Sequence, residues 1–274
     1  MGITAHSKHS PDPMVSSFKR ALLGLLEIAY GLYAAVAFLV FGLLAFALVL
    51  LPFGIAARRN MAHFAAQAFF RLAGMPVRLL DTQHLPAGPC VVVANHASYL
   101  DGVVLKAALP ARFSFVIKKE VSQVPLAGFM LRRIGSEFVD RFNRHAGGMD
   151  ARRLFKAADA GQALAFFPEG TFLAEPGLGK FHTGAFAIAA RAELPIVPIA
   201  IRGTRRILPS GRFLPRPGRV HIQVLPPLGP PPGLDPNVAA AQLRDQARAR
   251  ILAALDEPDL SETDGVAELQ GRRS

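Results

Sequence analysis

The sequence predicts an α/β fold: a largely parallel sheet flanked by helices, behind an N-terminal membrane-anchoring helical segment. Three observations predict it. Between residues 87 and 228, short apolar stretches rich in Val, Ile and Phe alternate with stretches of helical periodicity, the pattern of a sheet covered on both faces. Residues 31–56 contain no charged side chain, and about 20 apolar residues suffice to cross a bilayer. The composition is also apolar for a water-soluble enzyme, with 51% hydrophobic and 19% charged residues among 274 and a mean hydropathy of +0.30.

Taken in order, residues 1–20 read as a disordered polar leader ending in Lys19 and Arg20. Residues 21–57 carry one charge, Glu27. The run exceeds the roughly 7–15 apolar residues of a signal-peptide core, so it reads as a retained anchor. Lys19 and Arg20 on one flank balance Arg58 and Arg59 on the other, so the positive-inside rule sets no orientation. A single span fits, and so does a shallow hairpin around Gly42. Residues 58–86, with Phe64, Phe69, Phe70 and Leu72, read as an interfacial linker helix. The main domain is expected over 87–256. Its strands are expected at 91–95, 113–118, 137–140, 163–167, 195–201 and 219–225. Its helices are expected near 99–108, 125–134, 149–160, 184–192 and 237–255. A proline inside the strand at 195–201, Pro198, costs a ladder hydrogen bond and predicts an edge or an irregularity there. Residues 257–274 read as a flexible tail.

The net charge of +11 points to anionic partners. No nucleic-acid-binding module is recognisable, so lipid headgroups and phosphorylated substrates are preferred to nucleic acid. The single cysteine, Cys90, allows no intramolecular disulfide and reads as a small buried residue. Histidines and acids show no metal-ligand spacing, so no metal is expected.

Chemistry concentrates in Val91-Val92-Val93-Ala94-Asn95-His96-Ala97-Ser98-Tyr99-Leu100-Asp101. The valines follow Pro86, Gly88 and Pro89 and read as a buried strand, and helical spacing begins after Ser98. On one straight helix His96 and Asp101 would point about 140° apart. They meet if His96 lies in the turn and Asp101 in the first helical turn. Asp101 then fixes the tautomer, and the far ring nitrogen of His96 is left as a base.

Asn95-His96 with Asp101 resembles the first motif of the glycerolipid acyltransferases, typified by the 1-acyl-glycerol-3-phosphate acyltransferases. Three further stretches follow in that family's order. Gly135-Ser136-Glu137-Phe138-Val139-Asp140-Arg141 resembles the second motif, where Arg141 would grip a phosphate. Phe166-Phe167-Pro168-Glu169-Gly170-Thr171 resembles the third, and Lys180-Phe181-His182-Thr183-Gly184 the basic-aromatic stretch after it. Leu194-Pro195-Ile196-Val197-Pro198 resembles the fourth. One departure stands out: many members carry an arginine after the third motif, and here position 172 is Phe. Lys180, Lys118, Lys119, Arg202 and Arg205 are the cations available in its place.

The resemblance implies the glycerolipid acyltransferase fold and a membrane-bound acyltransferase of phospholipid biosynthesis. The acyl donor would be a thioester, on coenzyme A or acyl carrier protein, used as substrate with no cofactor. The acceptor would be 1-acyl-glycerol-3-phosphate, giving phosphatidic acid; another lysophospholipid or an aminoacyl lysolipid is the alternative. His96 and Asp101 would be catalytic, with backbone N–H groups after His96 as oxyanion donors. Asn95, Arg141, Glu169, Gly170, Thr171 and Lys180 would bind substrate. His182 is the rival base. The expected location is a bacterial inner membrane with the catalytic domain facing the cytoplasm. A thioesterase or lipase would need a nucleophile, and Ser98 lacks the Gly-x-Ser-x-Gly elbow. A non-catalytic lipid-binding protein would not need the His96–Asp101 pair.

Overall fold

In the computed structural model, which describes residues 13–140, 144–172 and 174–261, the chain opens with two helices, α1 (Pro13–Leu50) and α2 (Ile55–Leu72). There follow β1 (Val77–Leu80), β2 (Val91–Ala94), α3 (Asp101–Ala108), β3 (Ser114–Lys118), α4 (Ala127–Arg133), β4 (Glu137–Val139), α5 (Arg144–Asp159) and β5 (Leu164–Phe166). The chain then forms α6 (Gly184–Arg191), β6 (Ile196–Arg202), a short α7 (Thr204–Ile207), β7 (Val220–Val224) and α8 (Pro236–Leu255). The seven strands make one sheet in the order β1-β7-β6-β2-β5-β3-β4. All neighbours run parallel except β6 and β7.

The valine run occupies the central strand because both of its faces are covered. Val92 and Ala94 pack with Phe69 and Phe70 of α2 and Val104 and Leu105 of α3. Val91 and Val93 pack with Phe186 of α6 and Leu243 and Ala247 of α8. Each buried valine contributes on the order of 1.5–3 kcal/mol. A fully buried parallel strand reads as a continuous apolar run, and this one does. At the far end, Pro236 opens α8, where its fixed φ suits the first turn, and the Asp235 carboxylate accepts from Asn237 N at 2.8 Å as N-cap.

The structure departs from the sequence reading at several places. β1 lies in the stretch read as linker, yet it pairs with β7 and forms one edge of the sheet. Pro198 is not on an edge strand: β6 lies between β7 and β2. Its carbonyl accepts from Leu225 N on the β7 side, so its missing N–H also faces that side, just beyond the Ile199–Val224 pair where the ladder ends. Helix α1 begins at Pro13, inside the stretch read as leader, and runs unbroken through Gly42, so no hairpin turn forms there. The tail is tied down as far as Leu260, which exchanges hydrogen bonds with the 177–179 loop: Leu178 N donates to Pro258 O and Leu260 N to Leu178 O, both at 3.0 Å.

The chain reverses after Leu50, and α2 returns along α1. Tyr30 and Tyr33 donate to the last carbonyls of α2, Ala73 O at 2.8 Å and Leu72 O at 2.7 Å. Phe38 meets Phe69 edge-on at 5.3 Å. Arg133 donates to Val49 O at 3.0 Å and Leu50 O at 3.2 Å, satisfying carbonyls that the end of α1 leaves open. Glu27 pairs with Arg212 at 3.4 Å and Arg216 at 3.2 Å. The opposite side of α1 is an apolar stripe of Leu25, Leu32, Val36, Leu39 and Leu43, each at least half exposed. The stretch Lys19–Leu50 is long and apolar enough to cross a membrane.

Candidate active site

His96 leaves the carboxyl end of β2, where ligands of open α/β sheets gather. The chain turns through Ala97–Leu100, and Asp101 opens α3 fully buried. Asp101 Oδ2 lies 2.9 Å from His96 Nδ1. The same oxygen accepts from Ala97 N at 2.6 Å and Ser98 N at 2.8 Å. With its proton on Nδ1, the imidazole donates to Asp101 and keeps a lone pair on Nε2. One carboxylate thus sets both the shape of the turn and the tautomer of the ring. It also takes the N–H groups that were expected to serve an oxyanion, so residues 97 and 98 stiffen the base instead.

The next strand end supplies a second carboxylate. Glu169 Oε1 accepts from His96 N at 2.6 Å, and Oε2 from Gly179 N at 2.9 Å. Glu169 therefore clamps the histidine turn to the 177–179 loop through backbone donors alone. Burial raises its pKa to about 7; the bonds from His96 and Gly179 and the charge of Arg205 oppose that rise. The loop is held from behind by Arg248 of α8, which donates to Gly179 O and Leu178 O, both at 2.8 Å.

Aromatic rings surround the imidazole. Phe167 stacks on His96 at 4.4 Å and 22°, and Phe172 leans on it at 4.8 Å. Tyr99 meets Phe172 edge-on at 4.7 Å. Position 172 thus places an apolar ring beside the base, where the resemblance leads one to expect a guanidinium. The contact of Phe167 and Phe172 with His96, and of Tyr99 with Phe172, was missed in the sequence; only the odd residue at 172 signalled it.

The remaining predicted residues divide clearly. The amide of Asn95 is buried and fully used: Nδ2 donates to Ile201 O at 3.0 Å and Oδ1 accepts from Ile201 N at 2.7 Å. It extends the β2–β6 ladder past Ala94 rather than facing the site opening. Gly170 has φ +81°, and its N–H closes a turn onto Phe167 O at 3.1 Å, which aims Glu169 at the histidine turn. Thr171 and Lys180 are exposed at the rim. Arg141 lies outside the described residues. His182 is exposed, and its backbone N–H donates to Pro168 O at 2.8 Å.

Among the replacement cations, Lys119 pairs with Asp140 at 3.2 Å, Arg202 donates to Gln223 at 3.1 Å and Arg205 pairs with Glu257 at 3.5 Å; Lys118 is exposed. Neither candidate nucleophile is available. Ser98 Oγ donates to Leu208 O at 2.7 Å and accepts from Leu100 N at 3.1 Å. Cys90 is buried, and burial pushes its thiol up to about 11. Among the described residues, no three His, Cys, Asp or Glu side chains are grouped to hold a metal. The arrangement offers a ring nitrogen of His96 as a candidate proton acceptor beside aromatic rings, and among the described residues Ser98 and Cys90 do not supply a nucleophile next to it.

Comparison with known proteins bears on the family and the fold. Residues 76–202 match the family model described as "Acyltransferase". A chloroplast 1-acyl-sn-glycerol-3-phosphate acyltransferase of Brassica napus is 33% identical over 159 residues, which cover 56% of this chain and 46% of that protein. The lyso-ornithine lipid O-acyltransferase of Pseudomonas aeruginosa is 33% identical over 67% of this chain and 74% of that protein. The chain spans about half the length of the plant and algal relatives it matches. The crystal structure of the 1-acyl-sn-glycerophosphate acyltransferase PlsC of Thermotoga maritima superposes with a TM-score of 0.64 at 21% identity. That match covers 85% of this chain and 97% of the other, and it shows a shared fold.

Proposed function

This chain belongs to the acyltransferase family that includes the 1-acyl-sn-glycerol-3-phosphate acyltransferases, and on that premise we propose that it acylates the free hydroxyl of a lysolipid. The observation that carries this reading is the 2.9 Å contact of His96 Nδ1 with Asp101 Oδ2, which leaves Nε2 as a base. Nε2 takes the hydroxyl proton as the acceptor oxygen attacks the thioester carbonyl. The tetrahedral intermediate collapses, the C–S bond breaks, and the imidazolium returns the proton to the departing thiolate. Asp101 stabilises the imidazolium in between. Base catalysis of this kind is worth about 10²–10⁴ in rate. The acceptor is itself the nucleophile, which fits a site whose own Ser98 and Cys90 are committed or protonated.

Two acceptors compete. The first is 1-acyl-glycerol-3-phosphate, with phosphatidic acid as product, as in the name of the Brassica relative. The second is an aminoacyl lysolipid, as in the name of the Pseudomonas relative at the same identity. Phe172 favours keeping the second, because an apolar ring offers a phosphate nothing where an arginine would grip it. The donor is an acyl thioester of coenzyme A or acyl carrier protein, and no cofactor takes part.

We place the enzyme on a bacterial inner membrane with the site toward the cytoplasm, where such donors would reach it. α1 touches the domain from Glu27 to Leu50, roughly 34 Å of helix. A crossing helix would give about 30 Å of its length to lipid on all sides. The geometry therefore supports α1 lying in one leaflet with its apolar stripe down, rather than a span. The test is acyl transfer by membranes carrying the wild-type chain or His96→Ala, with a labelled acyl thioester and a panel of lysolipids. Loss in the variant is expected. Transfer that survives His96→Ala refutes the assigned base.

A further inference from the structure

We propose that the loop between α7 and β7, residues 208–219, is a second membrane contact, in which Phe213 enters the headgroup region of an anionic bilayer beside the active site. This rests on the membrane reading above and adds a surface that reading does not contain.

Phe213 is 94% exposed, more than any other large hydrophobic side chain among the described residues. A lone exposed ring is ordinary on a protein surface; its surroundings distinguish this one. The stretch 202–219 holds six arginines (202, 205, 206, 212, 216 and 219) and no acid. Arg206 and Arg219 are exposed, and guanidinium groups match phosphate oxygens.

The ring projects from a fixed base. Arg212 Nε donates to Leu214 O at 2.8 Å and Arg216 N donates to Ile207 O at 2.8 Å. Pro209, Pro215 and Pro217 limit the backbone further. The loop also adjoins the apolar helix. Arg212 and Arg216 both reach Glu27, the one charge in residues 21–57. Leu214 sits so close over Gly31 that a Cβ there would lie 2.8 Å from Leu214 Cβ, so only glycine admits the contact.

The loop's other end reaches the chemistry. Leu208 O accepts from Ser98 Oγ at 2.7 Å, and Ser98 N donates to Asp101, the partner of His96. An aromatic tip flanked by arginines is suited to the water–hydrocarbon boundary. Seated there, at headgroup level above the more deeply inserted stripe of α1, the loop sets the depth at which the histidine turn meets lysolipid.

The chain contains no tryptophan, so Phe213→Trp creates a single reporter. The full-length variant would be reconstituted into phosphatidylglycerol–phosphatidylcholine vesicles containing phospholipid brominated near the top of the acyl chain. Val36→Trp on the exposed stripe of α1 and Met149→Trp on α5 serve as comparisons; the native residues are 60% and 69% exposed. Trp at 213 and at 36 should be quenched severalfold more than Trp at 149. Quenching at 213 should fall in vesicles of phosphatidylcholine alone. Quenching at 36 but not at 213 overturns the loop contact and leaves the membrane reading standing. Absence of quenching at 36 overturns the membrane reading itself. Equal quenching at 149 and 213, or at 213 in both vesicle types, overturns the specific role of the loop.

Discussion

Asp101 holds His96 with the same oxygen that shapes the turn between them: Oδ2 lies 2.9 Å from His96 Nδ1 while Ala97 N and Ser98 N close on it at 2.6 and 2.8 Å. Three donors on one buried oxygen leave the imidazole no freedom to rotate or to exchange tautomers. Asp101→Asn keeps the shape and removes the charge. Its amide oxygen can still accept, but it cannot stabilise an imidazolium. We expect acyl transfer to fall about 10²–10⁴-fold in either His96→Ala or Asp101→Asn. The double variant should be little worse than the poorer single, because the two residues act as a unit. Initial rates of the three proteins check this, and additive losses would separate the pair.

Glu169 carries a different prediction, of stability against pH. Its folded pKa, about 7, stands above the ordinary value of 4.5. Between those values the folded chain holds a proton that the unfolded chain has released. Stability therefore falls as pH rises through that window, by on the order of 1–3 kcal/mol. Glu169→Gln removes the ionisation, so thermal unfolding measured from pH 4.5 to 7 should lose that part of its slope. The variant should also lose activity, because an amide NH₂ would face either His96 N–H or Gly179 N–H. An unchanged slope would mean that Glu169 does not titrate in this window.

The central strand and the meeting of His96 with Asp101 were legible because both follow from local rules. A β-branched run makes a buried strand, and a five-residue spacing closes only across a turn. What stayed hidden depends on distant partners. β1 carries Arg78 and alternates half-buried with exposed residues, so only its pairing with β7 marks it as part of the sheet. Asn95 reads as a polar residue beside a catalytic one, and only the position of Ile201 shows that its amide is spent on the ladder. Glu169 was expected to bind substrate; that both its oxygens face backbone N–H groups far apart in sequence was not legible. The direction of β7 against β6 has no signature in either strand.

Arg59 joins the anchor to the sheet domain and should be costly to lose. Its guanidinium donates to Ile134 O at 2.8 Å, Arg112 O at 3.1 Å and Gly135 O at 3.0 Å, and the residue is buried. Arg59→Ala removes this donor from Ile134 O and Arg112 O and leaves Gly135 O with Ser114 Oγ, at a cost of about 3 kcal/mol. Arg59→Lys should recover less than half of that, because an ammonium is a compact donor and cannot span three acceptors set around a plane. Chemical denaturation in detergent would measure both. A loss below about 1 kcal/mol in the alanine variant would show that α2 is held by its apolar face alone.

Position 172 decides the acceptor if the aromatic wall around His96 does. Phe172 touches both the base and Tyr99, so whatever headgroup lies next to the reacting hydroxyl lies against this ring. Phe172→Arg would replace an apolar contact by a charge-assisted one, worth about 1.5–3 kcal/mol to a phosphate and less to an ornithine headgroup, whose ammonium group it repels. The ratio of rates on lysophosphatidic acid and lyso-ornithine lipid should then rise roughly 10–100-fold, at about 1.4 kcal/mol per tenfold. Phe172→Leu keeps the site apolar and removes the ring, so it should slow both acceptors and leave their ratio in place. Competition between the two lysolipids in one assay reads the ratio directly. A ratio unmoved by Phe172→Arg would shift headgroup choice to the rim, with Lys180 the first residue to change.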